Sequence, residues 1–242
     1  MATGGLPPLH RDLLVFPLAL ASLYGLSFLW VALQRLSFPS EIEWMEGGMV
    51  AHAARLLSGA PIYAAPSVDF VPFFYTPGYP ALLAQLAPLL GGLSLPLGRA
   101  VSLSATCAIF VLLYQALRRE GCPPRYALFG PLIYAALFRT CGAFYDLARP
   151  DSLALALTLA TILLIRSGRS WVTVIAASLL CSVAFLTKQT SAVFFPPLAL
   201  ALATRAPGRA LVFTGLTLGL SAGAVLAIDA ETDGAFWAYS PN

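Results

Sequence analysis

An all-α, multi-spanning membrane bundle is the fold this sequence predicts, and three observations predict it. Of the 242 residues 59% are hydrophobic and only 10% charged, where a soluble domain carries about a quarter charged. Mean hydropathy is +0.80, and the apolar residues fall into runs close to the roughly 20 needed to cross a bilayer. Basic residues gather in alternate links between those runs, as topology rules for membrane helices require. The four cysteines, Cys107, Cys122, Cys141 and Cys181, are scattered with no C-x-x-C pair and no histidine at ligand spacing. Neither a disulfide framework nor a zinc site is indicated, and no nucleic-acid partner is expected.

Residues 1–12 read as a short polar leader. Leu13 to Leu33 is a 21-residue apolar run interrupted only by small or weakly polar groups and Pro17, about 30 Å of helix and enough to span. No A-x-A site follows it, so it reads as an uncleaved first helix. The chain then leaves the membrane for a long first extracytoplasmic loop, 36–97, within a single integral membrane domain covering 1–242. In that loop Ser40 and Glu43 fit a capping box that opens an interfacial helix over 41–58. Ile42, Met45, Met49, Ala53 and Leu56 form its apolar stripe, and Gly59 stops it. Pro61 to Pro80 is proline-punctuated and aromatic, which predicts an ordered extended segment. Thr76 to Leu90 is apolar but short, a half-helix or a short span.

Further spans are predicted at Gly98–Leu117, Tyr126–Ala143, Ser152–Ile165, Trp171–Leu186, Ala192–Ala203 and Ala210–Ile228, about seven in all. With the N-terminus cytoplasmic, the inner links hold Arg11, Arg118, Arg119, Arg125, Arg166, Arg169, Arg205 and Arg209 against only Asp12 and Glu120. That is the positive-inside arrangement. The reactive acids then all lie on the outer face.

Three outer links carry the groups able to do chemistry. Glu41, Glu43 and Glu46 lie within six residues of the first loop. Arg139, Asp146, Arg149 and Asp151 crowd the link before the fourth span, and Lys188 occupies the T-K-Q-T turn before the sixth. Charge at membrane depth is costly unless it is paired or lines a wet cavity. Each residue also has a plainer reading. Glu43 suffices as a helix cap and Asp151 as a helix start, while Arg139 and Lys188 suit snorkelling helix ends. Arg149 between two acids suits a simple ion pair. His52 reads as a surface or stripe residue without a partner. Tyr75 and Tyr79 fit an interfacial aromatic belt equally well. Glu46, Asp69 and Asp151 would share a divalent cation only if the fold gathers them.

W-M-E-G-G-M-V-A-H-A-A-R-L-L-S-G-A-P-I-Y, F-V-P-F-F-Y-T-P-G-Y, G-R-A-V-S-L, L-A-R-P-D-S-L and F-L-T-K-Q-T, in that order over about Ser40 to Thr190, resemble the GT-C glycosyltransferases. The likeness is to the glycosyltransferase 39 and aminoarabinose-transferase-like proteins, kin of protein O-mannosyltransferases. It implies inverting transfer of a sugar from a polyprenyl-phosphate donor to a lipid, glycan or protein acceptor, at the outer face of a bacterial inner membrane. It implies Glu46 as the general base and Arg149 and Lys188 at the donor phosphate. Asp151, Asp146 and Glu43 would orient substrate or cations, with Tyr75 and Tyr79 beside the sugar. Members of that family are longer, so the chain is expected to be an N-terminal half, a truncated product or a minimal homologue. The competing classes are a transporter, a lipid-binding membrane protein and a non-catalytic fragment.

Overall fold

The computed structural model describes residues 8–167 and 170–239, with side chains from residue 15 onward. The leader segment 1–7 and the side chains of Arg11, Asp12 and Arg169 lie outside the described residues. The fold is all-helical, 74% helix with no strand among the described residues. Within the helices, backbone donors and acceptors are satisfied in their own segments, as a bilayer demands.

Among the described residues, four helices are long and apolar enough to cross a membrane. They are α1 (Pro8–Leu36), α4 (Leu95–Arg119), α7 (Pro150–Ser167) and α10 (Pro207–Glu231). Between them lie α2 (Trp44–Leu57), α3 (Gly78–Leu86), α5 (Pro124–Ala127) and α6 (Phe129–Ala136), then α8 (Trp171–Thr187) and α9 (Phe195–Ala203), with α11 (Ala235–Tyr239) last. The segment expected as one span over Tyr126–Ala143 is broken instead into α5, α6 and a series of turns. Pro131 lacks the N–H that a continuous helix would direct at Ala127, and Gly142 and Ala143 take positive φ angles of 82° and 59°. The run expected at Ala192–Ala203 is likewise divided. A 3-10 segment, Gln189–Phe194, precedes α9, whose first turn holds Pro196 and Pro197.

Helices α4 and α7 lie side by side in the same direction. At one end the Ser102 hydroxyl donates to the Arg149 carbonyl at 3.1 Å. At the other, Arg119 donates to the Leu163 carbonyl at 3.0 Å, and Arg166 pairs with Glu120. α8 packs antiparallel on α7, α10 runs along α8, and α6 packs between α1 and α4.

Helix α2 sits at the end where α4 and α7 begin. Of its expected stripe, Met45, Met49 and Ala53 are buried against Tyr79, Leu83, Ala84 and Leu97. The stripe thus packs on protein rather than on lipid, and only Ile42 at its edge stays exposed. The expected Ser40–Glu43 capping box does not form. Glu43 is itself the N-cap, in extended conformation, accepting from the Met45 N–H at 3.2 Å. Because the helix starts three residues late, Glu46 falls in its first turn, facing inward.

Candidate functional site at the charged end of the helices

The deepest feature is an ion pair in which both partners are sealed from solvent, Glu46 at 0% and Arg99 at 1% exposure. Arg99 Nε and Nη2 each donate at 2.8 Å to the two carboxylate oxygens. Its remaining donors reach the carbonyls of Arg35, Phe38 and Ser40 at 2.8, 2.6 and 2.8 Å. A guanidinium has five N–H donors, and here all five are used. Glu46 also accepts the amides of Ala148 at 3.0 Å and Ile42 at 2.8 Å. Burial alone would raise this carboxyl, but the Arg99 guanidinium and the two amides outweigh it and hold Glu46 below its usual range. One pair thereby ties the end of α1, the start of α2, α4 and the link into α7 to one another.

Arg99 was not singled out from the sequence, although a signal existed. It lies five residues after the Ser94 N-cap of α4, inside the apolar run that reads as a span, where a charge is costly unless it is paired. Nearby, Gly98 lets the 148–149 corner close onto α4, since a Cβ at Gly98 would stand 2.5 Å from the Ala148 Cβ. Gly98→Ala is expected to cost about 1–3 kcal/mol through that overlap, read as a lower unfolding temperature in detergent.

Above this sealed layer runs an alternating chain of four charges. Glu43 meets Arg149 at 2.9 Å, Arg149 meets Asp151 at 3.1 Å, and Asp151 meets Lys188 at 2.6 Å. Their side chains are 16%, 10%, 32% and 20% exposed in that order, so water reaches every member, unlike Glu46. Arg149 also lies over the Phe144 ring at 4.1 Å, and Lys188 over Tyr75 at 5.6 Å. Beneath Asp151 and Lys188 a cavity of about 160 Å³ extends between α7 and the 3-10 segment, past Thr158, Thr190 and Ser191. Three links distant in sequence do meet here.

The other sequence candidates are placed differently. Asp146 is buried and pairs with Arg35 at 3.3 Å, and its Oδ2 finds no partner. Burial pushes its carboxyl up against the pull of Arg35. Tyr79, expected beside a substrate, is fully buried. Its hydroxyl donates to the Gly98 carbonyl at 2.9 Å and lies 2.9 Å from Ser102 Oγ, so it braces α3 on α4. Arg139 and Asp69 are exposed. Among the described residues no three His, Cys, Asp or Glu side chains gather as a metal site. Of the acids considered for a shared cation, Glu46 is held by Arg99 and Asp151 by Arg149 and Lys188, while Asp69 stands exposed in the 61–77 segment.

His52, expected to lack a partner, is 3% exposed and has two. Nδ1 faces the Gly48 carbonyl at 2.7 Å, and Nε2 accepts the Phe73 amide at 2.9 Å. The segment it holds, 61–77, is indeed without regular helix. We call it the strap. It is fastened further by Tyr63, whose hydroxyl donates to the Tyr75 carbonyl at 2.7 Å, and by Thr76, which donates to the Phe185 carbonyl at 2.9 Å. Gln189, next to Lys188, donates to the Phe74 carbonyl.

Fold and site together define an all-helical membrane protein with a partly open, charge-alternating corner where four of its elements converge. No family model, curated protein or solved structure matches the chain.

Proposed function

We propose that the chain is a membrane glycosyltransferase module that takes a sugar from a polyprenyl-phosphate donor at the extracytoplasmic face. In this reading the chain passes the bilayer about seven times with its N-terminus in the cytoplasm of a bacterium. The observation that carries it is the Glu43–Arg149–Asp151–Lys188 chain, two cations and two carboxylates open to water at the ends of apolar helices. A lipid-linked phosphate arrives at that depth, and its charge grows as the sugar–oxygen bond breaks. Arg149 and Lys188 stand where they can stabilise it. Asp151 bridges the two cations and keeps their spacing until phosphate replaces it.

The proton acceptor for the incoming hydroxyl must reach that hydroxyl. The resemblance points to Glu46, but four donors saturate Glu46 and no solvent touches it. We therefore give Glu46 the task of holding the Ala148–Arg149 corner, and assign the base to Glu43. Glu43 reaches water and is held by one cation, whereas Asp151 is held by two. Tyr75 on the strap flanks Lys188 and the lipid phosphate.

Arg149→Ala and Lys188→Ala are each expected to raise the KM for the donor about 10- to 100-fold, the worth of one charge-assisted hydrogen bond. Reconstituted liposomes supplied with a radiolabelled polyprenyl-phosphate sugar measure it. A transporter leaves the sugar–phosphate bond intact in the same assay, so recovery of only intact donor would overturn the enzymatic reading. The one-ended distribution of charge already speaks against a transporter, whose sites lie near mid-membrane.

A further inference from the structure

We propose that the strap is a pH-operated lid over the Lys188 end of the charged corner, latched by neutral His52. The geometry assigns the tautomer. Nδ1 faces a carbonyl oxygen and must carry the proton, while Nε2 faces the Phe73 N–H and must be bare. Protonation would turn Nε2 into a donor against a donor and abolish the latch. The ring lies against Phe70 and Phe73 in tilted contacts, centroids 4.8 and 4.9 Å away, and is 3% exposed, so the new charge would have almost no water around it.

The charged groups around His52 reinforce this. Arg55, one turn on along α2, lies over Phe70 at 4.2 Å and donates to the Pro61 carbonyl at 2.7 Å. It would repel an imidazolium. From the strap, Phe70 and Phe73 bring no titratable group to the ring, and Asp69 beside them is exposed. Phe73 also packs edge-on against Trp44 of α2 at 5.4 Å. Burial, the Gly48 carbonyl opposing it and Arg55 adding to it together lower the His52 pKa. A group depressed in the closed state stabilises closure above its ordinary value near 6.5 and loses that contribution as pH falls toward the closed-state value.

The lid reaches the site through three consecutive residues. Phe73 carries the latch, the Phe74 carbonyl accepts Gln189, and the Tyr75 ring covers Lys188. Freeing Phe73 therefore loosens the groups that shield the ammonium. The inference concerns closure alone and stands whether or not sugar is transferred.

Amide hydrogen exchange of peptides covering 66–75, corrected for intrinsic rates, is the test, run at pH 7.5 and 5.5 in detergent. Protection is expected to fall toward tenfold per pH unit below about 6.5, the slope of one linked proton, and to stay flat in His52→Gln. Lys188 is the only lysine, so its acylation rate, taken relative to His52→Gln at each pH, is expected to rise on acidification. Equal wild-type protection at both pH values overturns the latch. The same fall in His52→Gln overturns His52 as its cause, and strap opening with no gain in Lys188 labelling overturns the lid. Should His52→Gln not fold, C2–H exchange on the wild-type imidazole gives the titration midpoint, and a midpoint apart from that of strap opening overturns the proposal.

Discussion

Replacing Glu46 by Gln is expected to destabilise the fold by about 3–5 kcal/mol, the usual loss on breaking a buried ion pair. Both carboxylate oxygens accept from two donors each, one from Arg99 and one from a backbone amide. A carboxamide can present oxygen at only one of those places. Its NH₂ would confront two N–H groups in a site without water, and Arg99 would keep its charge uncompensated. Unfolding temperature in detergent, or resistance to proteolysis, reads the loss. Arg99→Met should cost at least as much, because the carbonyls of Arg35, Phe38 and Ser40 lose their donors as well. For the same reason a Glu46→Leu/Arg99→Met double variant should recover only part of the stability. Acid should mimic the first change. The folded carboxyl lies below its ordinary range, so its contribution is complete above about pH 4.3 and is lost as pH falls through the folded value. A Glu46→Gln protein as stable as the parent would show that the pair does not hold the corner.

Glu43→Gln is expected to lower sugar transfer by about 10²–10⁴, the range for removing a general base, while leaving the fold in place. Gln can still accept the Met45 N–H at the head of α2, and the lost partner of Arg149 is compensated by Asp151. The deficit should fall on kcat, with donor KM little changed. That separates Glu43 from Arg149 and Lys188, whose removal should act on donor KM. Undiminished transfer by Glu43→Gln, together with a folded but inactive Glu46→Gln, would return the base to Glu46.

Much of the molecule was legible residue by residue. Long apolar runs identified α1, α4, α7 and α10 to within a few residues at most ends, because hydropathy over a turn or two already decides whether a segment prefers lipid. Pro61 to Pro80 read as extended because proline removes donors wherever it stands, and the segment is so as far as Pro77, after which α3 begins at Gly78. The same rule, applied to Pro131 or to Pro196 and Pro197, would have shown the two divided segments, but apolar continuity masked it. At the site, the tertiary structure brings the Glu46 and Arg149 corners together, with the Ala148 amide on Glu46 at 3.0 Å. The partners were another matter: Glu46 belongs to Arg99, and Arg149 to Glu43 and Asp151. His52 read as a surface or stripe residue and Tyr79 as a sugar-side or interfacial aromatic, because their partners include backbone groups, the Gly48 and Gly98 carbonyls and the Phe73 N–H, which no side-chain pattern announces.

The sequence by itself determined that this is a helical membrane protein with several of its acids in links between apolar runs. Those properties follow from transfer free energies and helix periodicity, which act over a few neighbouring residues. Only the tertiary structure decided which carboxylate is sealed and which meets water. Partners 53 and 102 residues apart are chosen by the close approach of α4 to the α7 corner at Gly98 and by the inward turn of α2. Burial, which decides whether a carboxylate is a brace or a base, is a property of that packing and not of any local stretch of chain.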